Sequence, residues 1–213
     1  MAKTTAPLLS FGAGGAIGKT QVYASWKGIP YARKYVVPAN PRSTDQTLTR
    51  SVFTILCALW KNLGADATAP FMAFATGKPL TDRNAYLKFN VKALRSGSDW
   101  TALVGSPGAA GGVPLASFSA SGGSGTISTT VTAPTPPTGW TLTKVTAVAR
   151  VNDDPHTSTN DTAAVASATT SPWQPSFSGL AAGSYIVTCW PVWDTGGGKL
   201  AYGASLNHTA TVT

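Results

Sequence analysis

Residues 199–212 read Lys-Leu-Ala-Tyr-Gly-Ala-Ser-Leu-Asn-His-Thr-Ala-Thr-Val. Leu200, Tyr202, Ala204, Leu206, Ala210 and Val212 recur at every second position, while Lys199, Ser205, Asn207, Thr209 and Thr211 fall between them. A period of two is the signature of a strand with one face in a core and the other in water. The same period recurs upstream. Ile127, Thr129, Val131 and Ala133 share one face, and Val145, Ala147, Ala149 and Val151 share another. Turn clusters separate these runs: PTPPTG at 134–139, NDDPHTSTND at 152–161, SPWQPS at 171–176 and DTGGG at 194–198. Six or seven strands within about a hundred residues predict a β-sandwich over 125–213.

Composition agrees. Of 213 residues, 22 are Gly and 15 are Pro, which favours turns, and the eight acids are all Asp. Glu, the preferred acid of helix surfaces, does not occur. Apolar residues at 43% suffice for a core, and no apolar run reaches the roughly 20 residues of a membrane-spanning helix. Two cysteines, Cys57 and Cys189, fall in segments that read as separate domains, so buried free thiols are expected rather than a disulfide or a metal site. After Lys3 the chain meets Pro7 and a Gly-rich run instead of a continuous apolar stretch. It therefore does not read as a signal peptide, and synthesis in a reducing host cytoplasm is expected.

The front half has a different grammar. Residues 19–37 read as a β-hairpin: Val22, Ala24 and Trp26 alternate, Lys27-Gly28 turns, and Ile29 to Val37 returns until Pro38 and Pro41 end the strand. A helix follows from Ser43, which with Gln46 forms a capping box, and carries Leu48, Val52, Ile55, Leu56, Leu59, Trp60 and Leu63 on one face up to Gly64. A second helix is predicted from near Thr68, with Pro70 in its first turn. A third is predicted from Thr81 to Arg95 with Tyr86, Leu87, Val91 and Leu94 inward. The expected organisation is thus an α+β domain over 1–104, a Gly/Ser/Pro-rich linker or first strand over 105–124, and an all-β immunoglobulin-like sandwich over 125–213. Charge divides along the chain: residues 1–100 hold eight Lys and five Arg against four Asp, whereas 101–213 hold two Lys and one Arg against four Asp. Any acidic partner should meet the first half.

Two stretches resemble known families. Gly179-Leu180-Ala181-Ala182-Gly183-Ser184-Tyr185-Ile186-Val187 resembles the L-x-x-G-x-Y corner of fibronectin type III and related immunoglobulin-like domains. The resemblance implies a structural corner on Leu180, Gly183 and Tyr185, with the Tyr hydroxyl tied to nearby backbone. Cys189 lies four residues past Tyr185 instead of two, so the antibody-type disulfide is not implied. Trp26-Lys27-Gly28-Ile29-Pro30-Tyr31-Ala32-Arg33-Lys34-Tyr35-Val36-Val37-Pro38-Ala39-Asn40-Pro41 resembles a segment of small virion-associated proteins of tailed bacteriophages, in which immunoglobulin-like modules are often appended.

Chemical motifs are few. Ala13 to Thr20, AGGAIGKT, fits a relaxed phosphate-loop pattern, but a strand-like stretch follows where a helix is required. Asn152, Asp153, Asp154, His156 and Asp161 gather carboxylates and an imidazole without the spacing of a calcium loop, and read as a solvated connection between strands. His208 falls on the apolar phase of its strand and reads as a half-buried, satisfied histidine. Trp140, Trp173, Trp190 and Trp193 are expected to fill or rim the sandwich. No nucleophilic triad is suggested. The candidate interface is Trp26, Lys27, Tyr31, Arg33, Tyr35 and Arg42, aromatic and basic residues of the kind concentrated at protein–protein hot spots; single-stranded nucleic acid is the alternative ligand for such a surface.

The expected function is that of a non-enzymatic structural protein in a phage particle, without cofactor or metal. The front domain would dock on many copies of a major capsid or tail subunit, and the sandwich would be displayed, where it could touch host-surface glycans weakly. Capsid decoration is the first location, a tail or neck position the alternative, and membrane insertion is not expected.

Overall fold

One strand, β11 (Gly183–Asp194), is buried from Tyr185 to Trp193 without interruption. Its neighbour β8 (Thr141–Val151) is buried from Val145 to Arg150. Such strands need cover on both faces, and both faces are covered. The computed structural model of this chain describes residues 2–3, 14–26, 29–37, 39–95, 97 and 99–213. Within it, Val145, Ala147 and Ala149 of β8 and Tyr185, Val187 and Cys189 of β11 point into a core shared with a small second sheet. Val148 of β8 and Ile186, Trp190 and Val192 of β11 point the opposite way, into cores shared with helices. The result is three helices and antiparallel sheets, an α+β fold containing a β-sandwich.

The small sheet has the order β10-β7-β6, built from β6 (Ser117–Gly123), β7 (Thr126–Thr132) and β10 (Ser176–Ser178). The large sheet runs β5-β12-β11-β8-β9, with β13 also paired to β11. Its remaining strands are β5 (Pro107–Ala109), β9 (Ala164–Ala168), β12 (Leu200–Ala204) and β13 (Leu206–Val212). The single last strand expected over 199–212 is therefore two. In β12, Tyr202 faces Val192, whereas in β13 Leu206 faces Cys189. That is a register change of one residue, and one residue inverts the alternation. Tyr202 accordingly joins the helix-side core while Ala210 and Val212 join the core between the sheets.

The helices are α1 (Thr44–Asn62), α2 (Ala65–Ala75) and α3 (Asp82–Leu94). On α1 the expected apolar stripe supplies Val52, Ile55, Leu56 and Leu59 as fully inward residues. Ser43 holds its N-cap position, but its side chain makes no capping bond. On α3, Thr81 does cap, its Oγ1 accepting from Asn84 N at 3.2 Å. Helix α2 starts three residues before the expected Thr68, at Gly64, whose carbonyl accepts from both Ala67 and Thr68. Pro70 therefore lies inside the helix, beyond its first turn. Trp60, Phe71 and Tyr86, one from each helix, meet with ring centroids 5.1–6.1 Å apart. None of these helices is long and apolar enough to cross a membrane.

The joint between helices and large sheet is polar at its centre. Arg150 is buried to 1% exposure on β8, with its guanidinium 3.6 Å from the centroid of Trp100. Its Nη2 donates to Asp153 Oδ1 at 3.3 Å and to Ser158 Oγ at 2.9 Å, and its Nη1 donates to the Asn160 carbonyl. Trp100 Nε1 donates to the same Asp153 oxygen at 2.7 Å, and Ser158 Oγ to the other. Burial pulls the Arg150 guanidinium below its usual range, and Asp153 opposes that pull. Asn90 of α3 adds a two-way link, accepting from Val104 N at 2.7 Å and donating to Val104 O at 3.0 Å. At the surface, Lys144 of β8 and Asp66 of α2 pair at 2.6 Å, and the hydrogen bond from Lys144 holds the Asp66 carboxyl below its ordinary value.

These contacts redraw the organisation expected from sequence. The chain divides into compact units at Arg42/Ser43, so the helices group with the sandwich instead of with the hairpin. Residues 105–124 are part of the second unit: β5 pairs with β12 and β6 with β7. Their glycines serve close approach. A methyl at Gly112 would collide with the backbone of Tyr202, one at Gly122 with the backbone of Thr211, and one at Gly105 would sit 2.5 Å from the Trp190 ring.

Three outcomes follow from this packing. Asp153→Asn, which strips the buried guanidinium of its counter-charge, should cost roughly 3 kcal/mol in urea denaturation, at the low end of the range for broken buried pairs because Asp153 keeps part of its exposure. Gly112→Ala should destabilise by at least about 1–3 kcal/mol through overpacking, whereas Gly77→Ala, at a turn with open space, should show only its positive-φ strain. Cys57 and Cys189 are free thiols, and burial pushes Cys189 up to about 12; a thiol reagent at pH 8 should leave Cys189 unmodified in the native protein and label it after unfolding.

Candidate interaction surface

The first compact unit, Met1–Arg42, is a four-stranded antiparallel sheet of order β1-β4-β3-β2. Its strands are β1 (Ala2–Lys3), β2 (Gly15–Ile17), β3 (Gln21–Trp26) and β4 (Ile29–Lys34). The hairpin expected from alternation is β3–β4, and β1 and β2 were not anticipated because three-residue runs carry no periodicity. Directly opposed residues of an antiparallel pair share a face. Val22 opposes Arg33 and Ala24 opposes Tyr31, so Tyr31 and Arg33 stand on one face with Val22 and Ala24. The backbone ladder continues at Tyr35, whose N–H donates to the Thr20 carbonyl at 2.8 Å. Tyr31 and Tyr35 are half-buried and Arg33 is exposed. Lys34 opposes Gln21 on the reverse face, where Tyr23 also lies, its hydroxyl donating to Gln21 Oε1 at 3.3 Å.

Of the six candidate residues, the structure brings Tyr31 and Arg33 together on that face. Arg42 is exposed beyond the last strand with φ 48°, a left-handed conformation uncommon for arginine. Lys27 lies outside the described residues, as does the side chain of Trp26.

Two properties of this unit stand out chemically. First, none of its described residues is buried, while Ile17, Ile29, Val36 and Val37 are 43–73% exposed. A sheet without a core has little to hold it flat in water, and apolar side chains at this exposure suit a covered surface. Second, residues 1–42 contain Lys3, Lys19, Lys27, Arg33, Lys34 and Arg42 and no acid, which is six of the eight net charges of the chain. Residues 43–213 balance ten cations against eight Asp.

The other sequence candidates resolve into structure. In the stretch Gly14–Thr20, Gly15–Ile17 form β2 and Gly18–Thr20 a turn leading into β3, with Thr20 Oγ1 donating to the Ile17 carbonyl. No helix N-terminus faces this turn, so it lacks the anion cradle that a phosphate loop needs. Residues 152–161 are more than the solvated connection expected. Asp153 binds Trp100 and Arg150, Asn152 Oδ1 accepts from Trp100 N at 3.0 Å, and His156 Nε2 lies 3.2 Å from the Arg95 carbonyl. Asp154 Oδ1 accepts from His156 N at 2.8 Å, and the Asp161 carbonyl accepts from Asn62 at 2.9 Å. The loop latches the helices to the sheet. His208 is exposed, contrary to the half-buried place expected for it, because β13 turns that side outward; its ring stands edge-on to Phe118 at 6.4 Å. Among the described residues no group of His, Cys, Asp or Glu could hold a metal.

At the corner, the Tyr185 hydroxyl donates to the Ala181 carbonyl at 3.0 Å, Leu180 packs on the core between the sheets, and Gly183 has φ 156°. Of the tryptophans, Trp190 and Trp193 are fully buried, but Trp190 faces the helices, outside the space between the sheets; Trp193 Nε1 donates to the Val113 carbonyl. Trp140 and Trp173 are half-buried. Sequence reasoning missed Arg150 and Trp100. The available signal was a lone arginine inside an apolar strand, VTAVARV, followed three residues later by an aspartate.

No protein-family model matches this chain, and no curated protein matches it. Among solved structures it is similar to the fibronectin(III)-like modules of CbhA from Clostridium thermocellum, with 23% sequence identity and a TM-score of 0.24. The match covers 44% of this chain and 41% of that one, so the chain spans well under two thirds of the neighbour's length.

Proposed function

We propose that this chain is a non-enzymatic structural protein of a bacteriophage particle, which docks through its N-terminal sheet and displays a fibronectin III-like module. The observation that carries the reading is the contrast between the units. Residues 1–42 have cations, exposed apolar side chains and no buried residue among those described, whereas 43–213 enclose their own cores. A surface that is both basic and apolar gains most by covering itself with an acidic, apolar-centred protein surface, and repeated coat or tail subunits supply such a surface in many copies. The docking element is accordingly smaller than sequence suggested: 1–42, with the helices belonging to the displayed body. Capsid decoration is the first location and the tail or neck the second. The displayed body can add weak contacts to bacterial surface glycans, which many copies turn into avidity.

Peptide mass spectrometry of purified particles with copy counting tests the placement. Hundreds of copies indicate decoration and about a dozen or fewer a neck or tail position; absence from particles overturns the reading. For the docking face, Tyr31→Ala should weaken particle binding by roughly tenfold or more, as truncating an aromatic anchor does. Arg33→Glu should weaken it further at low salt than at high salt. Neither substitution should change the urea midpoint of the second unit. Equal binding of both variants and the parent would remove the sheet from the interface. Binding that falls with salt along a slope set by neutralised phosphates would instead identify a nucleic-acid ligand.

A further inference from the structure

Five buried side-chain polar atoms among the described residues have no hydrogen-bond partner: Tyr86 Oη, Arg150 Nε, Thr188 Oγ1, Trp190 Nε1 and Asn207 Oδ1. Four of these five residues line one cavity of about 20 Å³ between the helices and the large sheet, closed by Leu59 and Phe71 of the helices among others. The concentration is physically informative. A buried donor or acceptor left unpaired costs about 1–3 kcal/mol, so four in one place are not tolerated without a common partner. A cavity needs roughly 10–15 Å³ to hold a water, which this one exceeds, and buried waters take two to four polar partners.

The donor and acceptor types select the guest. Arg150 Nε and Trp190 Nε1 can only donate, while the hydroxyls of Tyr86 and Thr188 can accept as well as donate. A water accepts from the two N–H groups and donates to the two hydroxyl oxygens, which completes its tetrahedral set. A cation would face two N–H donors. An anion would add negative charge beside a guanidinium whose charge Asp153 already matches. An apolar guest would leave all four groups unpaired.

We propose that this cavity is a built binding site for a resident water, which bridges α3, β8 and β11 through Tyr86, Arg150, Thr188 and Trp190. The water completes the hydrogen bonding of Arg150, whose two terminal nitrogens are held by the 152–161 loop and whose Nε is not. It thereby makes the helix–sheet joint a single polar network running from the loop surface to the interior. The proposal is independent of any placement on a virus particle.

Two measurements decide it. A high-resolution crystal structure of the full chain, grown with and without bromide, should show one solvent peak in this cavity within about 3.2 Å of at least three of the four atoms, with no bromide anomalous signal. A cavity free of density overturns the proposal, and so does an anomalous bromide peak. Independently, Thr188→Val and Tyr86→Phe each delete one hydroxyl while keeping shape. With water present, each removes one of its ligands, and the Tm stays level or falls. In a dry cavity each would remove an unpaired polar group, and a Tm above that of the parent would overturn the proposal.

Discussion

Burial of β8 and β11 on both faces is the constraint on which the rest of this protein depends. The odd-numbered residues of these strands meet a three-stranded sheet and the even-numbered ones meet helices. An ordinary two-sheet sandwich would leave one of those faces in water, where Val148, Ile186, Trp190 and Val192 would form a large apolar patch. The helices are therefore the third layer of the displayed body, and the chain between them and the sandwich has no freedom to act as a linker. Its glycines at 105, 112 and 122 permit backbone contact that any side chain would block.

Placing an arginine at the centre of that joint is costly unless every group finds a partner. The sequence meets the cost locally. Asp153, Ser158 and the Asn160 carbonyl come from the loop that immediately follows β8, so the strand delivers the charge and its own exit loop neutralises it. Trp100 stacks on the guanidinium and binds the same carboxylate, which draws the end of the helical segment into the network. What looked like a cluster of chemically active residues at 152–161 is in this way engaged in architecture. The consequence for function is direct: the groups best suited to acid–base work are already bonded, and the unsatisfied surface of the molecule lies in the basic sheet of residues 1–42.

Particular elements show how far the sequence could be read and where reading stopped. The β3–β4 hairpin, the apolar face of α1 and the capped start of α3 were legible because each rests on contacts within a few residues. The tyrosine corner was legible because its spacing is itself local. By contrast, the start of α2 was misplaced by three residues, since Pro70 is tolerated mid-helix once Gly64 caps the end. His208 and the break at Ser205 were hidden because a one-residue change of register leaves no mark in composition. Arg150 and Trp100 went unremarked because their partners lie up to 53 residues apart.

By itself, the amino-acid sequence determined the periodicities, and with them the strands, the helices, the corner at Tyr185 and the concentration of positive charge near the N-terminus. These are properties of neighbours along the chain, fixed by side-chain size, backbone propensity and spacing. Only the tertiary structure decided that the helices belong to the sandwich, that the boundary falls at Arg42/Ser43, and that four polar groups converge on one cavity. Those outcomes depend on which apolar face covers which, a choice set by the summed burial of distant surfaces, and no local pattern encodes it.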